Sequence, residues 1–288
     1  MNRKIRFTSV LMAKAAVYKV SQRNEYMYDG GPLEQSTTYE YDKNGNVIKE
    51  VNIIYPDEGL ADPGSKSVIY YTYEEGRLTR ATLYHLEDDG SEVNPSTVTY
   101  QYNEDSQLIL EESVGSTWSE RSKKEYSNGK LVRQVDSTYE NGVLLNQWIY
   151  RYSYGKNTET IRTYDKNHNP DVKDISVFDK NGNEIQGKSY KYKSGKWVFL
   201  GSQKRAYDKN NRLIRYEDYG ADGKIQKKET HTYNKYGDCV KIVYYTYRKS
   251  GKYRKEVVRA TYKYDSHGNM VKSKVENGGM TTYAYVKI

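Results

Sequence analysis

Apolar and polar residues alternate at every second position along most of the chain, and the alternation is broken at regular intervals by short polar clusters. Period-two alternation predicts strands, and the clusters predict turns. One unit recurs: Tyr-x-Tyr, a polar turn, then an apolar residue. It is seen in YEYDKNGNVIKE (39–50), YTYEEGRLTR (71–80), YQYNEDSQLI (100–109), EYSNGKLVR (125–133), VFDKNGNEI (177–185), AYDKNNRLIR (206–215), TYNKYGDCVK (232–241) and YKYDSHGNMVK (262–272). No segment reads as a capped amphipathic helix.

Turn chemistry sets the register. In Asp42-Lys43-Asn44-Gly45 the Asp side chain caps the turn, and Gly45 supplies the positive φ that closes a type I turn with a bulge. Asn128-Gly129 and Glu75-Gly76 suit two-residue hairpin loops. The three-residue loops place Tyr41 opposite Val47, Tyr102 opposite Leu108, Tyr207 opposite Leu213, Tyr233 opposite Cys239 and Tyr264 opposite Met270. The two-residue loops place Tyr73 opposite Leu78, Tyr126 opposite Leu131 and Tyr192 opposite Trp197. Phe178, which falls opposite Glu184, breaks the rule. Each such pair contributes about 0.2–1 kcal/mol and fixes which face is which.

About nine copies recur at a spacing of roughly 28 residues, within the usual range for repeat arrays. Turn signals between them, such as Asp29-Gly30-Gly31-Pro32, Asn141-Gly142, Ser194-Gly195 and Asp222-Gly223, belong to the opposite edge. The expected fold is therefore all-β: an up-and-down antiparallel meander of about 20 strands, forming a curled single-layer sheet or a partly closed barrel. Residues 21–288 read as one domain. Residues 1–20 read two ways: a first strand, or a weak secretory signal with Arg3, Lys4 and Arg6 ahead of a short apolar run ending near Ala13-Lys14-Ala15.

Composition agrees with a sheet that has little covered interior. The chain of 288 residues holds 33 Tyr against 3 Phe and 3 Trp. Tyr buries its ring while its hydroxyl stays hydrated. No stretch approaches the 18 apolar residues of a membrane helix, and Lys, Arg or Glu on both faces of strands such as 203–207 argues against a lipid-facing barrel. Charge is uneven: residues 1–144 carry 16 Lys+Arg and 23 Asp+Glu, a net −7, whereas residues 145–288 carry 30 and 15, a net +15. A dipolar open sheet of this kind has scope for end-to-end self-association.

Little in the chain resembles an active site. Cys239 is the single cysteine and fills a slot held elsewhere by Val, Leu or Met. It reads as a small apolar residue. His85, His168, His231 and His267 show no metal-ligand spacing, and no cofactor is implied. The acidic loops 56–64 and 87–95 lack calcium-loop spacing. The densest basic stretch, 241–263, interleaves Lys249, Lys252, Arg254 and Lys255 with Tyr245 and Tyr247. That pattern suits an anionic polymer, or equally a solvated sheet face. Trp118, Trp148 and Trp197 are natural platforms for stacking sugars.

Tyr-Asp-x-x-Gly-Asn/Arg followed by an aliphatic residue, clearest at 41–47, 207–213 and 264–270, resembles the YD repeat of RHS-type bacterial surface and toxin-shell proteins. Weaker copies extend the resemblance over most of 39–285. It implies spiralling β-sheet, a bacterial surface or secreted setting, and a non-catalytic role. The chain is far too short to form such a shell and has no evident toxin segment, so delivery does not carry over. The resulting expectation is a non-enzymatic repeat scaffold of the cell envelope or secreted space, partnered by an unidentified protein or glycan. The alternatives are a carbohydrate-binding module and an anionic-polymer binder using the basic half, with nucleic acid the less favoured ligand.

Overall fold

The computed structural model describes residues 18–56, 64–248, 250–276 and 278–287. All regular structure among them is strand. The first ten strands are β1 (Tyr18–Tyr26), β2 (Leu33–Tyr41), β3 (Val47–Ile54), β4 (Ser65–Glu74), β5 (Arg77–Leu86), β6 (Glu92–Tyr102), β7 (Leu108–Val114), β8 (Trp118–Ser127), β9 (Lys130–Glu140) and β10 (Val143–Tyr154). The next ten are β11 (Thr158–Tyr164), β12 (Pro170–Phe178), β13 (Glu184–Lys193), β14 (Lys196–Tyr207), β15 (Leu213–Gly220), β16 (Ile225–Tyr233), β17 (Cys239–Tyr247), β18 (Tyr253–Tyr264), β19 (Met270–Val275) and β20 (Met280–Lys287). Each pairs antiparallel with its sequence neighbours, and β20 pairs with β1. The sheet is a closed up-and-down barrel. A circular section would be roughly 40 Å across the backbone at ordinary strand spacing and tilt, and no described segment plugs it.

Every cross-strand pair expected from turn chemistry is present. These are Tyr41–Val47, Tyr73–Leu78, Tyr102–Leu108, Tyr126–Leu131, Tyr192–Trp197, Tyr207–Leu213, Tyr233–Cys239 and Tyr264–Met270, with Phe178 opposite Glu184. The turns are built as the residues dictate. Asp42 Oδ1 accepts the backbone N–H groups of Asn44 and Asn46, its Oδ2 accepts the Asn46 amide, and Gly45 sits at φ +81°. The same cap recurs with Asp165, Asp179 and Asp265. His168 takes the left-handed position in its turn, at φ +65°, a conformation in which His is among the commoner non-glycine residues. That turn, 165–169, lies on the rim opposite the other Asp-capped turns.

The turns at Asp42, Tyr102, Tyr207 and their counterparts define a tyrosine rim. There, in every hairpin but β10–β11, a β-bulge shifts the register beside the slot residue, and the ladder to the next hairpin stops two residues further on. Leu213 is a clear instance: β14 pairs with it at Tyr207, while the β15–β16 ladder begins only at Arg215–Thr230. The orphaned slot carbonyl is taken by a tyrosine hydroxyl from the next strand. Tyr41 donates to Val20 O, Tyr102 to Leu78 O, Tyr126 to Leu108 O, Tyr154 to Leu131 O, Tyr207 to Glu184 O, Tyr233 to Leu213 O, Tyr262 to Cys239 O and Tyr285 to Met270 O, all at 2.6–3.0 Å. A backbone carbonyl without a partner is costly; the hydroxyl extends the ladder where the strands splay.

The closing seam copies the repeat. Tyr285 stands opposite Val20, with the register shift between Val20 and Gln22. The two ends of the chain thus assemble a tenth hairpin lacking only its turn. Closure leaves no free strand edge, so the end-to-end joining expected of an open sheet loses its physical basis. It also brings the acidic first half and the basic second half together at the β20–β1 seam.

Burial separates the faces near this rim. Tyr71 and Tyr73 are half-buried while Tyr70, Thr72 and Glu74 are exposed. Val258, Ala260, Tyr262 and Tyr264 are covered while Arg259, Thr261 and Lys263 are exposed. Near this rim the tyrosine face is the more covered one, and we call it lumenal and the other convex; farther from the rim Val68 and Ile149, the two most buried side chains, lie on the convex face. The convex face carries Arg80, Arg121, Lys123, Arg133, Arg151, Lys204 and Arg259. A charge at a bilayer midplane costs about 2–4 kcal/mol, which counts against this face lying in lipid.

One expectation changes in detail. Glu92–Pro95, read as loop, begins β6, and the turn is confined to Glu87–Ser91. The segment expected as a signal or first strand lies outside the described residues up to 17, and strand β1 begins at Tyr18; residues 57–63 of the other acidic loop also lie outside them.

Removing a seam hydroxyl tests the ladder extension. Tyr102→Phe, Tyr126→Phe and Tyr233→Phe should each lose about 1 kcal/mol in urea denaturation with an unchanged slope. Titration gives a second test. Burial, seconded by the Glu159 charge, pushes the Tyr154 hydroxyl up to about 12, and burial with Tyr283 pushes Tyr285 to about 12. A tyrosine raised above its unfolded value near 10 contributes stability that is whole below pH 10 and lost as pH climbs through 12. Circular dichroism should therefore show cooperative alkaline unfolding between pH 10 and 12, at lower pH in the Tyr→Phe variants.

Candidate binding surface

The residues singled out in the basic stretch do not form one patch. Alternation along β17 and β18 sends Tyr245, Tyr247 and Lys255 to the convex face and Arg254, opposite Thr246, to the lumenal face. Lys252 lies in the turn between these strands, and Lys249 lies outside the described residues. The three tryptophans are also dispersed. Trp118, opposite Glu140, and Trp148, opposite Asp136, face the lumen on β8 and β10, whereas Trp197 lies on the convex face of β14. The three rings do not share a face. Trp118 remains 42% exposed.

The fold assembles a different surface. On the convex side of β12–β18, near the rim opposite the tyrosine hydroxyls, aromatic rings and lysines form a belt. At one end Tyr190 packs on Phe199 with ring centroids 5.4 Å apart, and Tyr192 meets Trp197 edge-on at 5.1 Å. The ammonium of Lys173 lies over both Tyr190 (4.2 Å) and Trp197 (5.2 Å). In the middle Lys204 lies 5.3 Å over Tyr219. At the other end Tyr245 and Tyr247 contact Tyr253 at 5.3 and 5.5 Å, and Lys228 and Lys255 flank the Tyr245 ring at 5.7 and 6.0 Å. Tyr253 is 56% exposed.

Its electrostatics are simple. The carboxylate within the belt, Glu217, is buried, accepts from the Tyr219 hydroxyl at 2.8 Å and is paired with Arg215. Burial alone would raise it, but these two donors outweigh burial and hold its carboxyl below the usual range. The belt's net charge is positive. Cation–π contacts of this kind contribute about 0.5–1 kcal/mol each at exposed sites, and the lysine stems cover ring surface that would otherwise meet water.

Sequence reading missed Lys173, Tyr190, Phe199, Lys204, Tyr219 and Lys228. A usable signal was present: the Ser194-Gly195 loop fixes Tyr190 opposite Phe199, and stepping by two across neighbouring strands reaches Lys173. Following it needs the extra residue at Leu200, where the register shifts. A separate concavity of about 780 Å³ at the tyrosine rim is lined by Tyr154, Glu159, Phe178 and Asp179. Asp179 there is committed to capping its own turn. Among the described residues no three His, Cys, Asp or Glu side chains gather as a metal site, and no helix is long and apolar enough to cross a membrane.

No family model matches the chain, and no curated protein matches it. Solved structures resemble it at low identity. A porin-like protein from Bacteroides vulgatus is 13% identical, with 93% of this chain and 99% of that one covered and a TM-score of 0.36. A porin-like protein from Bacteroides uniformis is 8% identical, with 93% and 96% covered and a TM-score of 0.37. TcdB2-TccC3 is 12% identical over 88% of this chain and 20% of that one, with a TM-score of 0.26. Similarity of this degree carries neither family nor function to this chain.

The belt makes a measurable prediction. Changing Lys173, Lys204, Lys228 and Lys255 together to Gln should lower the salt needed to elute the barrel from heparin. Changing Arg254 should lower it less, because it lies on the other face.

Proposed function

We propose that the protein is a non-enzymatic β-barrel scaffold of the bacterial envelope or secreted space, which presents its convex aromatic–lysine belt to a protein or glycan partner. The observation that carries this reading is the use made of the repeated chemistry. Asp caps, bulges and tyrosine hydroxyls all serve closure of the ring, and the tyrosine repeat is spent on seams instead of converging on a cleft. The YD-type spacing supports the bacterial setting as an analogy.

A second reading follows from the lysines over the rings. A belt of positive charge and stackable aromatics suits an anionic polymer, whose charge the lysines match and whose rings or sugars the aromatics take. The +15 charge of residues 145–288 supports this reading.

Two measurements test the proposal. Protease shaving of intact source cells should cleave the chain, and recovery only from the cytosol would sink the envelope placement. On a glycan array the intact barrel should bind, with Trp197→Ala and Tyr253→Ala reducing the signal at least several-fold. An array without hits removes the glycan partner, and turnover of any arrayed glycan abolished by a single Glu→Gln change would overturn the non-enzymatic reading.

A further inference from the structure

The charge split between the two halves of the chain survives closure as a split around one rim. On the rim away from the tyrosine hydroxyls, the β5–β6 turn carries Glu87, Asp88 and Asp89, with Glu92 just inside β6, and Glu140 leads into the β9–β10 turn. Across the ring, Lys193 and Lys196 flank the β13–β14 turn, Lys224 lies in the β15–β16 turn, and Arg248 and Lys252 lie in the β17–β18 turn. All of these side chains are exposed. Contrary charges within the two arcs are paired locally: Lys66 lies 3.9 Å from Asp88, and Asp222 lies 3.9 Å from Lys224. Single turns of the tyrosine rim mix the signs, Asp42 with Lys43, Asp179 with Lys180 and Asp208 with Lys209, so that rim is less divided.

The divided rim also gathers apolar side chains that the described residues leave uncovered. Val143 and Leu145 are 65% and 51% exposed, and Val114, Trp118 and Leu144 are exposed beside them. Backbone bonds join this arc: the Gly115 N–H donates to Trp118 O at 2.9 Å, and the Asn141 N–H donates to Thr117 O at 2.7 Å. In the β1–β2 turn Met27 and Tyr28 are exposed as well, with the Tyr28 ring set against Gly31. Apolar surface gathered beside polar groups marks a protein contact.

We propose that two copies of the barrel dimerise through this rim, acidic arc on basic arc. Turns 27–32 and 165–169 stand half a ring apart in the strand order. A two-fold axis through both, in the plane of the rim, lays turn 87–91 of one copy on turn 248–252 of the other. Turn 141–142 then meets 194–195, and turn 115–117 meets 221–224. Glu87 and Asp88 oppose Arg248 and Lys252, Glu140 opposes Lys193 and Lys196, and each contact is made twice, as a two-fold requires. On the axis Met27 and Tyr28 meet their own copies. Charge complementarity selects the partner: the surface that fits a rim divided in this way is the same rim turned over. A ring roughly 40 Å across with a wall about 10 Å thick offers roughly 1,200 Å² per copy, above the roughly 800 Å² that each partner buries in a stable complex of standard size. The contact is separate from the convex belt and does not depend on what the belt binds.

Sedimentation equilibrium of the full chain tests the pairing. The native protein should be a dimer at about 0.1 M salt, and its dissociation constant should rise about tenfold at about 1 M, where charges are screened beyond about 3 Å. Arg248→Glu with Lys252→Glu sets acid against acid and should give a monomer. Glu87→Lys with Asp88→Lys sets base against base and should do the same. Mixed in equal amounts, the two variants should form a one-to-one dimer, because each altered arc then faces its complement. Circular dichroism checks that each variant is folded. Should either fail to fold, Tyr28→Glu replaces it, since it puts two carboxylates together on the axis and should also give a monomer. A native chain that stays monomeric up to its solubility limit overturns the dimer. A dimer that the reversals leave intact, or variants that stay apart when mixed, overturns the arc-on-arc contact.

Discussion

A tyrosine hydroxyl donating to one stranded carbonyl is the interaction on which the barrel depends. Each bulge tightens the strand twist beside its turn and ends the ladder early. That leaves slot carbonyls to be satisfied at the seams between hairpins, and eight of them accept a tyrosine hydroxyl. Tyr102 on Leu78 and Tyr233 on Leu213 show the solution: a ring long enough to span the splayed strands, with a donor at its tip. Phenylalanine has the reach but no donor, and Phe178 accordingly supplies no such bond. The scarcity of Phe and abundance of Tyr are thus one structural fact.

Closure follows from the same unit. Strand β20 meets β1 in the register of an internal hairpin, Tyr285 against Val20. The ring needs no special latch, because the ends carry the two halves of an ordinary repeat. With closure the exposed edge disappears, and with it the chief hazard of a wide sheet. The charged convex face then keeps the barrel hydrated, and the lysines lying along Tyr190, Tyr219 and Tyr245 shield ring area that the lumen cannot take up.

Because the repeated positions are committed to seams, departures from the repeat stand out. Arg212 replaces Asn beside the capping Asp208 and still serves the turn, through an ion pair. Glu184 replaces an apolar slot residue and is satisfied by Arg205. His231 and Cys239 replace a tyrosine and an aliphatic residue together, with Sγ 4.0 Å from the imidazole and donating to the Lys241 carbonyl.

Strand identity, turn type and nearest-neighbour register were legible in the residues alone, since alternation, Asp caps and positive-φ glycines act over a few positions. Tyr41–Val47 and Tyr192–Trp197 needed nothing more. The tenth hairpin was not legible, because its halves lie at opposite ends of the chain and no local turn joins them. The belt was hidden for a related reason. Which residues share a face is decided by parity carried through successive bulges, and one extra residue, such as Leu200, reverses every later assignment. Reading 241–263 as a single basic patch merged two faces that the sheet keeps apart. Local chemistry was written in the sequence; the choice of face, and the closing of the ring, belong to the pairing of distant strands.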